Sequence, residues 1–289
     1  MKPDAAPLPP AGVHAAPVTS RRAGRTLAHD DWIADEVPVA VVVGGIAQAV
    51  MLASPNDLED FAVGFACTEG IVERAEQIYG IETRPTEVDG ARAIELHLDV
   101  ATACTVRLKE RRRALAGRTG CGLCGTESLA QLHRPLPALP EVRVAAAAPG
   151  RAQRELRAWQ TVQHLTGATH AAAWCGLDGG VRFVREDLGR HNALDKLVGA
   201  LWRTRAGTAD GFVCITSRAS FEMIQKAALA GIGLVAAASA PTSLAIAAAR
   251  AAGLALAGFV RGDDFVAYTL ADRFGLAAGD APEPEDDGR

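Results

Sequence analysis

The sequence predicts an α/β protein, with a larger C-terminal α/β domain behind a smaller N-terminal α+β domain. Three observations carry that prediction. Short apolar runs alternate with helical patterns through the second half, at Phe212 to Ile215, Gly233 to Ala238 and Leu254 to Val260. Runs of this length separated by helices imply a layer with at least partly parallel strand pairing. The first half instead shows a hairpin, a helix and an alternating strand, and 289 residues with 49 % hydrophobic content suffice for one large domain or two ordinary ones.

Residues 1–28 are rich in Pro, Ala and Arg without periodicity and are expected to be a disordered extension. The N-terminal domain is placed at 29–135. It opens with a β-branched run, Val39 to Val43, a Gly44-Gly45 turn and a return strand, Ala47 to Leu52. Ser54-Pro55-Asn56-Asp57 then starts a helix, with Ser54 as cap and Leu58, Phe61, Ala62 and Phe65 as its apolar stripe. Ile94, Leu96, Leu98 and Val100 alternate with Glu95, His97 and Asp99, the pattern of a half-buried strand. A basic stretch, Lys109 to Arg113, leads through Gly117 and Gly120 to the pair Cys121 and Cys124.

Pro135, Pro137 and Pro140 break the chain, so residues 136–150 read as a linker. The C-terminal domain is placed at 151–275. A helix from about Arg151 carries Leu156, Trp159, Val162 and Leu165, and a hairpin turns at Leu177 to Gly180. Helices over Leu194–Trp202, Phe221–Leu229 and Thr242–Ala252 then alternate with the three apolar strands. The tail, 276–289, is acidic and proline-containing and is expected to be disordered.

Bulk properties restrict the function. A net charge of −4 argues against wholesale nucleic-acid binding, which usually needs a basic domain. No apolar stretch is long enough to cross a bilayer, and the N-terminal residues contain no apolar signal region. A cytoplasmic location is therefore expected, and there six cysteines do not make a disulfide framework. Cys67, Cys104, Cys175 and Cys214 lie singly in apolar surroundings and are expected to be buried.

Cys121 and Cys124 are different, and three readings compete for them. A structural zinc site needs four ligands, and no second pair exists, though His133 or His191 could complete one. A thioredoxin-type dithiol normally follows a strand and opens a helix, whereas glycines surround this pair and suit a mobile loop. A persulfide carrier needs an accessible thiolate favoured by basic neighbours, which Arg111, Arg112, Arg113 and Arg118 supply in sequence. Residue chemistry leaves the three open.

Other segments suit anion or nucleotide binding. Arg190-His191-Asn192 opens a helix, where free N–H groups suit a phosphate, although Asn192 as a simple cap fits equally. Thr216 to Ser220 and Ser239 to Ser243 each follow a strand, where ligands gather in open α/β sheets, although ordinary N-capping explains either loop alone. Phe259 to Asp264 ends a strand and turns through Gly262, which reads as a ligand loop or as a plain hairpin.

The string from Thr119 to Leu129, TGCGLCGTESL, strongly resembles the FdhD/NarQ family. Asp57 to Phe65, Thr68 to Ile71, Gly189 to Lys196, Thr216-Ser217-Arg218, Ser239 to Ser243 and Gly258 to Gly262 resemble further signatures of that family, in order, over about residues 30–272. The resemblance implies a sulfurtransferase that takes persulfide sulfur from a cysteine desulfurase. It would pass that sulfur to the molybdenum bis-guanine-dinucleotide cofactor, its cargo, before the cofactor enters formate dehydrogenase. By the same resemblance Cys121 carries the persulfide with Cys124 as helper, and Phe259, Val260, Arg261, Gly262, Asp263 and Asp264 bind the cofactor. It further implies a cytidine-deaminase-like three-layer sandwich, a homodimer and no permanently bound metal. A zinc-binding structural or cofactor-chaperone module without sulfur chemistry is the alternative. The sequence departs from the family in carrying Gly44-Gly45 in place of Asn-Gly, and two acids, Asp263 and Asp264, after Arg261-Gly262. No H-x-E pairs with a P-C-x-x-C, so deaminase chemistry is not implied.

Overall fold

The computed structural model describes residues 10–116 and 136–276. It opens with an antiparallel ribbon, β1 (Val13–Arg22) and β2 (Arg25–Ala34). This corrects the expectation of disorder for residues 13–28. Ala23 and Gly24, both at positive φ, form the two-residue turn between paired Arg22 and Arg25. Two positive φ values in a two-residue hairpin turn match the twist of the strands. An Ala-Gly turn among prolines and alanines lacks the usual Asn-Gly signal, which is why composition misled.

A four-stranded sheet follows, ordered β4-β3-β6-β5. It contains β3 (Val37–Val43), β4 (Ile46–Ala53), β5 (Ile78–Val88) and β6 (Ala91–Val100), with β3 parallel to β6 and the other pairs antiparallel. Val37, Val39, Val41 and Val43 alternate inward with Ile94, Leu96, Leu98 and Val100. Helices α1 (Leu58–Thr68) and α2 (Thr102–Ala116) cover that face with Phe61, Phe65, Cys104 and Leu108. The basic stretch from Lys109 is thus part of a helix. Ser54 does not cap α1. Asp57, at φ 50°, holds the cap position without a side-chain bond, and Ser54 Oγ instead accepts from Leu188 N.

The second sheet has six strands, ordered β12-β11-β10-β9-β7-β8. These are β7 (His170–Gly176), β8 (Val181–Asp187), β9 (Gly211–Ile215), β10 (Leu234–Ala237), β11 (Ala255–Arg261) and β12 (Asp264–Thr269). The central three strands are parallel; β7, β8 and β12 join antiparallel. One face packs on α5 (Arg190–Thr204), α6 (Phe221–Leu229) and α7 (Ser243–Ala252). The other packs on α3 (Ala148–Trp159) and a 3₁₀ turn, Ala271–Phe274, through Ala152, Leu156 and Phe274. The result is a helix–sheet–helix sandwich. The helix expected from Arg151 begins at Ala148, inside the expected linker, and breaks at Gln160 before α4 (Thr161–Thr166).

The two sheets are joined by α1 crossing α5 at backbone contact. A Cβ on Gly64 would lie 1.7 Å from Asp195 O, and one on Gly199 would lie 1.8 Å from Asp60 O. Charged groups ring the crossing. Asp60, buried, accepts from Arg185 and Arg203, each at 2.6 Å. Lys196 Nζ, fully buried, lies 2.7 Å from Asp187 Oδ2 and donates to Ser54 O and Asn56 Oδ1. Thr68 donates to Asp195 at 2.8 Å, and Lys226 bonds both Asp195 and Glu69.

Candidate functional site

Three loops meet at the carboxyl ends of β9, β10 and β11. Thr216 to Ser220 follows β9 and runs beside the loop after β10, where Ala219 N donates to Ala240 O and Thr242 N to Ala219 O. Phe259 N in turn donates to Ser239 O. Gly258 permits this approach, since a Cβ there would be 2.9 Å from Pro241 Cδ and 3.1 Å from Ser239 O. The hydroxyl-rich segments singled out in the sequence therefore form one edge, as expected for a ligand site in a sheet with parallel strands.

Their individual roles differ. Thr242 caps α7, accepting from Ala245 N at 3.2 Å. Thr216 Oγ1 accepts from Ala171 N at 2.9 Å and ties β9 to β7. Ser220 stands at the cap position of α6, yet its buried Oγ has no hydrogen-bond partner among the described residues. Asn192 does not cap α5: its amide reaches Leu52 O at 2.9 Å and Asp187 Oδ1 at 3.0 Å.

Beside this edge lies a cavity of about 350 Å³ lined by Gln153, Arg157, Gln160, His170, Thr216 and Ala238. The lining is polar and largely fixed. Gln153 and Gln160 are buried, and Gln153 Nε2 donates to Ile215 O while its Oε1 has no partner among the described residues. A buried acceptor without a partner is costly, so a donor-bearing ligand at this position recovers that cost. The glutamines give no distinctive signal in the sequence. They are seven residues, about two turns, apart on α3 and its end, and only the tertiary fold sets them over the strand ends.

The cationic groups also converge here. His170 and His191 both stay below the ordinary histidine range: burial is the larger cause, and the Arg190 guanidinium adds to it in each case. For His191 the Glu222 carboxylate opposes the shift, with Nε2 2.8 Å from Glu222 Oε2. Arg190 Nε is buried without a hydrogen-bond partner among the described residues. This edge thus offers a fixed positive charge and two neutral imidazoles.

Phe259 to Asp264 forms the β11–β12 hairpin, with Phe259 at φ 54° and 40 % exposed. Val260 is buried, and Arg261 pairs across the turn with Asp264, through Gly262 at φ 61°. Asp263 accepts from Arg154 of α3 at 2.8 Å, and Gly150 sits against Gly262. The turn and its exposed charges are as the sequence suggested. One helix, α3, supplies Gln153 and Arg157 to the cavity and Arg154 to the hairpin.

Cys121 and Cys124 lie outside the described residues. The chain leaves α2 on the N-terminal sheet and returns at Leu136, which packs against the large sheet's helices. The four other cysteines are buried, and burial pushes the Cys67 and Cys214 thiols up, away from reactive thiolate. Among the described residues no helix is long and apolar enough to cross a membrane.

Fold and site together define a mixed α/β protein with a polar edge at the carboxyl ends of its parallel strands, on a helix–sheet–helix sandwich. The chain belongs to the FdhD/NarQ family, which matches residues 34–275. A protein of Variovorax paradoxus named sulfur carrier protein FdhD is 56 % identical over 91 % of this chain and 94 % of its own. Proteins of the same name from Bordetella petrii and Cupriavidus necator are 51 % and 50 % identical, over 85 % and 89 % of this chain and 87 % and 88 % of theirs. In fold the chain is similar to a crystal structure from Desulfotalea psychrophila described as a formate dehydrogenase accessory protein. The TM-score is 0.71 at 21 % identity, covering 91 % of this chain and 99 % of that one.

Proposed function

We propose that this chain is a sulfur carrier that serves the maturation of formate dehydrogenase. The observation that carries the reading is family membership across residues 34–275, a span that contains Cys121 and Cys124, together with close relatives named sulfur carriers. In detail, the Cys121 thiolate attacks the outer sulfur of a desulfurase persulfide. A Cys121 persulfide forms and the desulfurase thiolate leaves, so sulfur moves without net oxidation. Cys124 assists, and the acceptor is the molybdenum bis-guanine-dinucleotide cofactor, bound as cargo before it enters formate dehydrogenase.

The strand-end edge supports the cargo half of this reading. Phe259 to Asp264, the Thr216–Ser220 loop and the Gln153–Gln160 cavity present an exposed aromatic, hydroxyls, amides and the Arg190 guanidinium beside one another. Those groups suit a ligand with ring edges and phosphates. The helix–sheet–helix layering is compatible with the cytidine-deaminase-like sandwich, and the carrier in this reading is a cytoplasmic homodimer.

The test is intact-mass spectrometry after incubation with a cysteine desulfurase and cysteine, beside Cys121→Ala and Cys124→Ala. The expected result is an adduct of about 32 Da, one sulfur atom, that dithiothreitol removes and Cys121→Ala lacks. No adduct, with one zinc per chain lost when either cysteine is replaced, would instead identify a structural metal module.

A further inference from the structure

We propose that the β1–β2 ribbon is a self-docking surface, which pairs about a two-fold axis with the same ribbon of a second copy of this chain. This deepens the homodimer in the function proposed above and rests on that part of it. Apart from Ala34, the ribbon precedes the residues matched by the family. Its base is seated: Gly12 lies against Pro55 and Asn56, and β2 runs beside α4. Most of its length is exposed, including every residue from Arg25 to Asp31. A two-stranded ribbon is marginal in water without a further packing surface.

The strand register shows what such a surface must offer. On one face the cross-strand pairs, from the tip down, are Arg22–Arg25, Ser20–Leu27, Val18–His29 and Ala16–Asp31. Two arginines directly opposite one another destabilise a ribbon, and neither forms an ion pair among the described residues. Leu27 is 53 % exposed in the middle of the face. Asp31 spends one oxygen on Trp32 N and otherwise carries an exposed negative charge. The order along the face is therefore positive, then two levels that each pair an apolar with a polar side chain (Leu27 with half-buried Ser20, half-buried Val18 with His29), then negative.

That order is self-complementary when reversed. A two-fold axis between the Ser20–Leu27 and Val18–His29 levels sets Arg22 and Arg25 of one copy opposite Asp31 of the other, twice. It also sets each Leu27 level against a Val18 level. Successive levels are two residues, or roughly 6.7 Å, apart, so the charged groups are separated by about 20 Å on each ribbon. An isologous contact of this kind closes at two copies. Ribbons alone bury less than roughly 1,000 Å², so the association is weak and salt-sensitive.

Sedimentation velocity of the full chain tests this, with Arg22→Glu/Arg25→Glu and with Asp31→Arg. The native chain should dimerise at low salt and dissociate as salt is raised. Each variant alone should lose at least about tenfold in dimerisation constant, about 1.4 kcal/mol, because each sets like charges against one another. An equimolar mixture of the two variants should recover the dimer, since both contacts are then attractive. Arg22→Ser/Arg25→Ser serves as a milder variant, and unchanged melting temperatures show that the variants fold. A native chain that stays monomeric up to about 100 µM overturns the proposal. So do variants as dimeric as the native chain, or a mixture that stays monomeric. Persulfide loading of the same samples, read by mass, is a separate outcome, so a failed sulfur-carrier reading is told apart from a failed ribbon.

Discussion

Lys196 is the buried cation on which the junction of the two sheets depends most directly. Its Nζ has four oxygens within reach, from Asp187, Ser54, Asn56 and Glu186. Burial lowers the ammonium's pKa, and Asp187 opposes that shift. Removing one partner of a buried pair leaves the other uncompensated, at about 3–5 kcal/mol. Lys196→Met is therefore expected to lower the melting temperature by about 10 °C or more. A loss below about 1 kcal/mol in urea unfolding would show that Asp187 finds another partner. The histidines give a pH-dependent prediction. His170 and His191 are held neutral in the folded chain, while the unfolded chain protonates near the ordinary value of about 6.5. Their contribution is present above that pH and is lost as pH falls through it toward the lower folded values. His170→Gln should therefore flatten the fall in urea midpoint between about pH 7.5 and 5.5. An unchanged slope would remove His170 from that account. At this scale the sequence showed His191 and Lys196 only inside a motif. Gln153, Gln160 and His170 carried no signal, because their meaning comes from strand ends brought together by long-range pairing.

At the scale of elements, the α1–α5 crossing is set by two glycines, and neither was legible as such. Gly64 lies inside a helix buried continuously from Asp60 to Thr68, where a glycine costs about 1 kcal/mol relative to alanine. What recovers that cost is backbone approach: Gly64 meets Asp195 O, and Gly199 meets Asp60 O. Gly64→Ala should destabilise the protein by about 2 kcal/mol or more, because both helices must move apart. Gly80→Ala is the control, since nothing lies within 4 Å of a Cβ there. Equal effects at the two positions in chemical denaturation would refute close packing as the cause. Strong periodicity made β3, β6, α5 and the three parallel strands legible. The β1–β2 ribbon was not, because its turn is Ala23-Gly24 and its strands carry few β-branched residues. α2 was missed because its sequence is basic, and among its described side chains Cys104 and Leu108 mark the side facing the core. The position of the α1 start was misjudged because Ser54 is recruited by Leu188, far away in sequence.

At the scale of the whole molecule, the two domains expected from the proline-rich break share too much to act as independent folding units. Trp202, on α5, packs against the core of the small sheet as well as that of the large one. Cys67, on α1, belongs to the core of the large sheet. Several polar contacts around the crossing join partners from opposite halves, as with Asp60 to Arg185 and Arg203, and Ser54 to Asp187. Interfaces between independent domains are usually smaller and more polar, and leave relative motion as the default. Here, breaking the crossing would leave buried Asp60 without Arg185 and Arg203, and would take Thr68 from Asp195 and Ser54 and Asn56 from Lys196. Opening one half is therefore nearly as costly as unfolding both, and the described body should unfold as one unit. Urea unfolding followed by tryptophan fluorescence and by far-ultraviolet circular dichroism should give coincident transitions. Fluorescence reports Trp174, buried in the large sheet, and Trp202, packed against both cores, besides the more exposed Trp32 and Trp159, while circular dichroism reports both sheets and all helices. Two separated transitions, the second retaining the Trp174 signal, would show that the small sheet opens alone and that the linker, not the crossing, governs the fold.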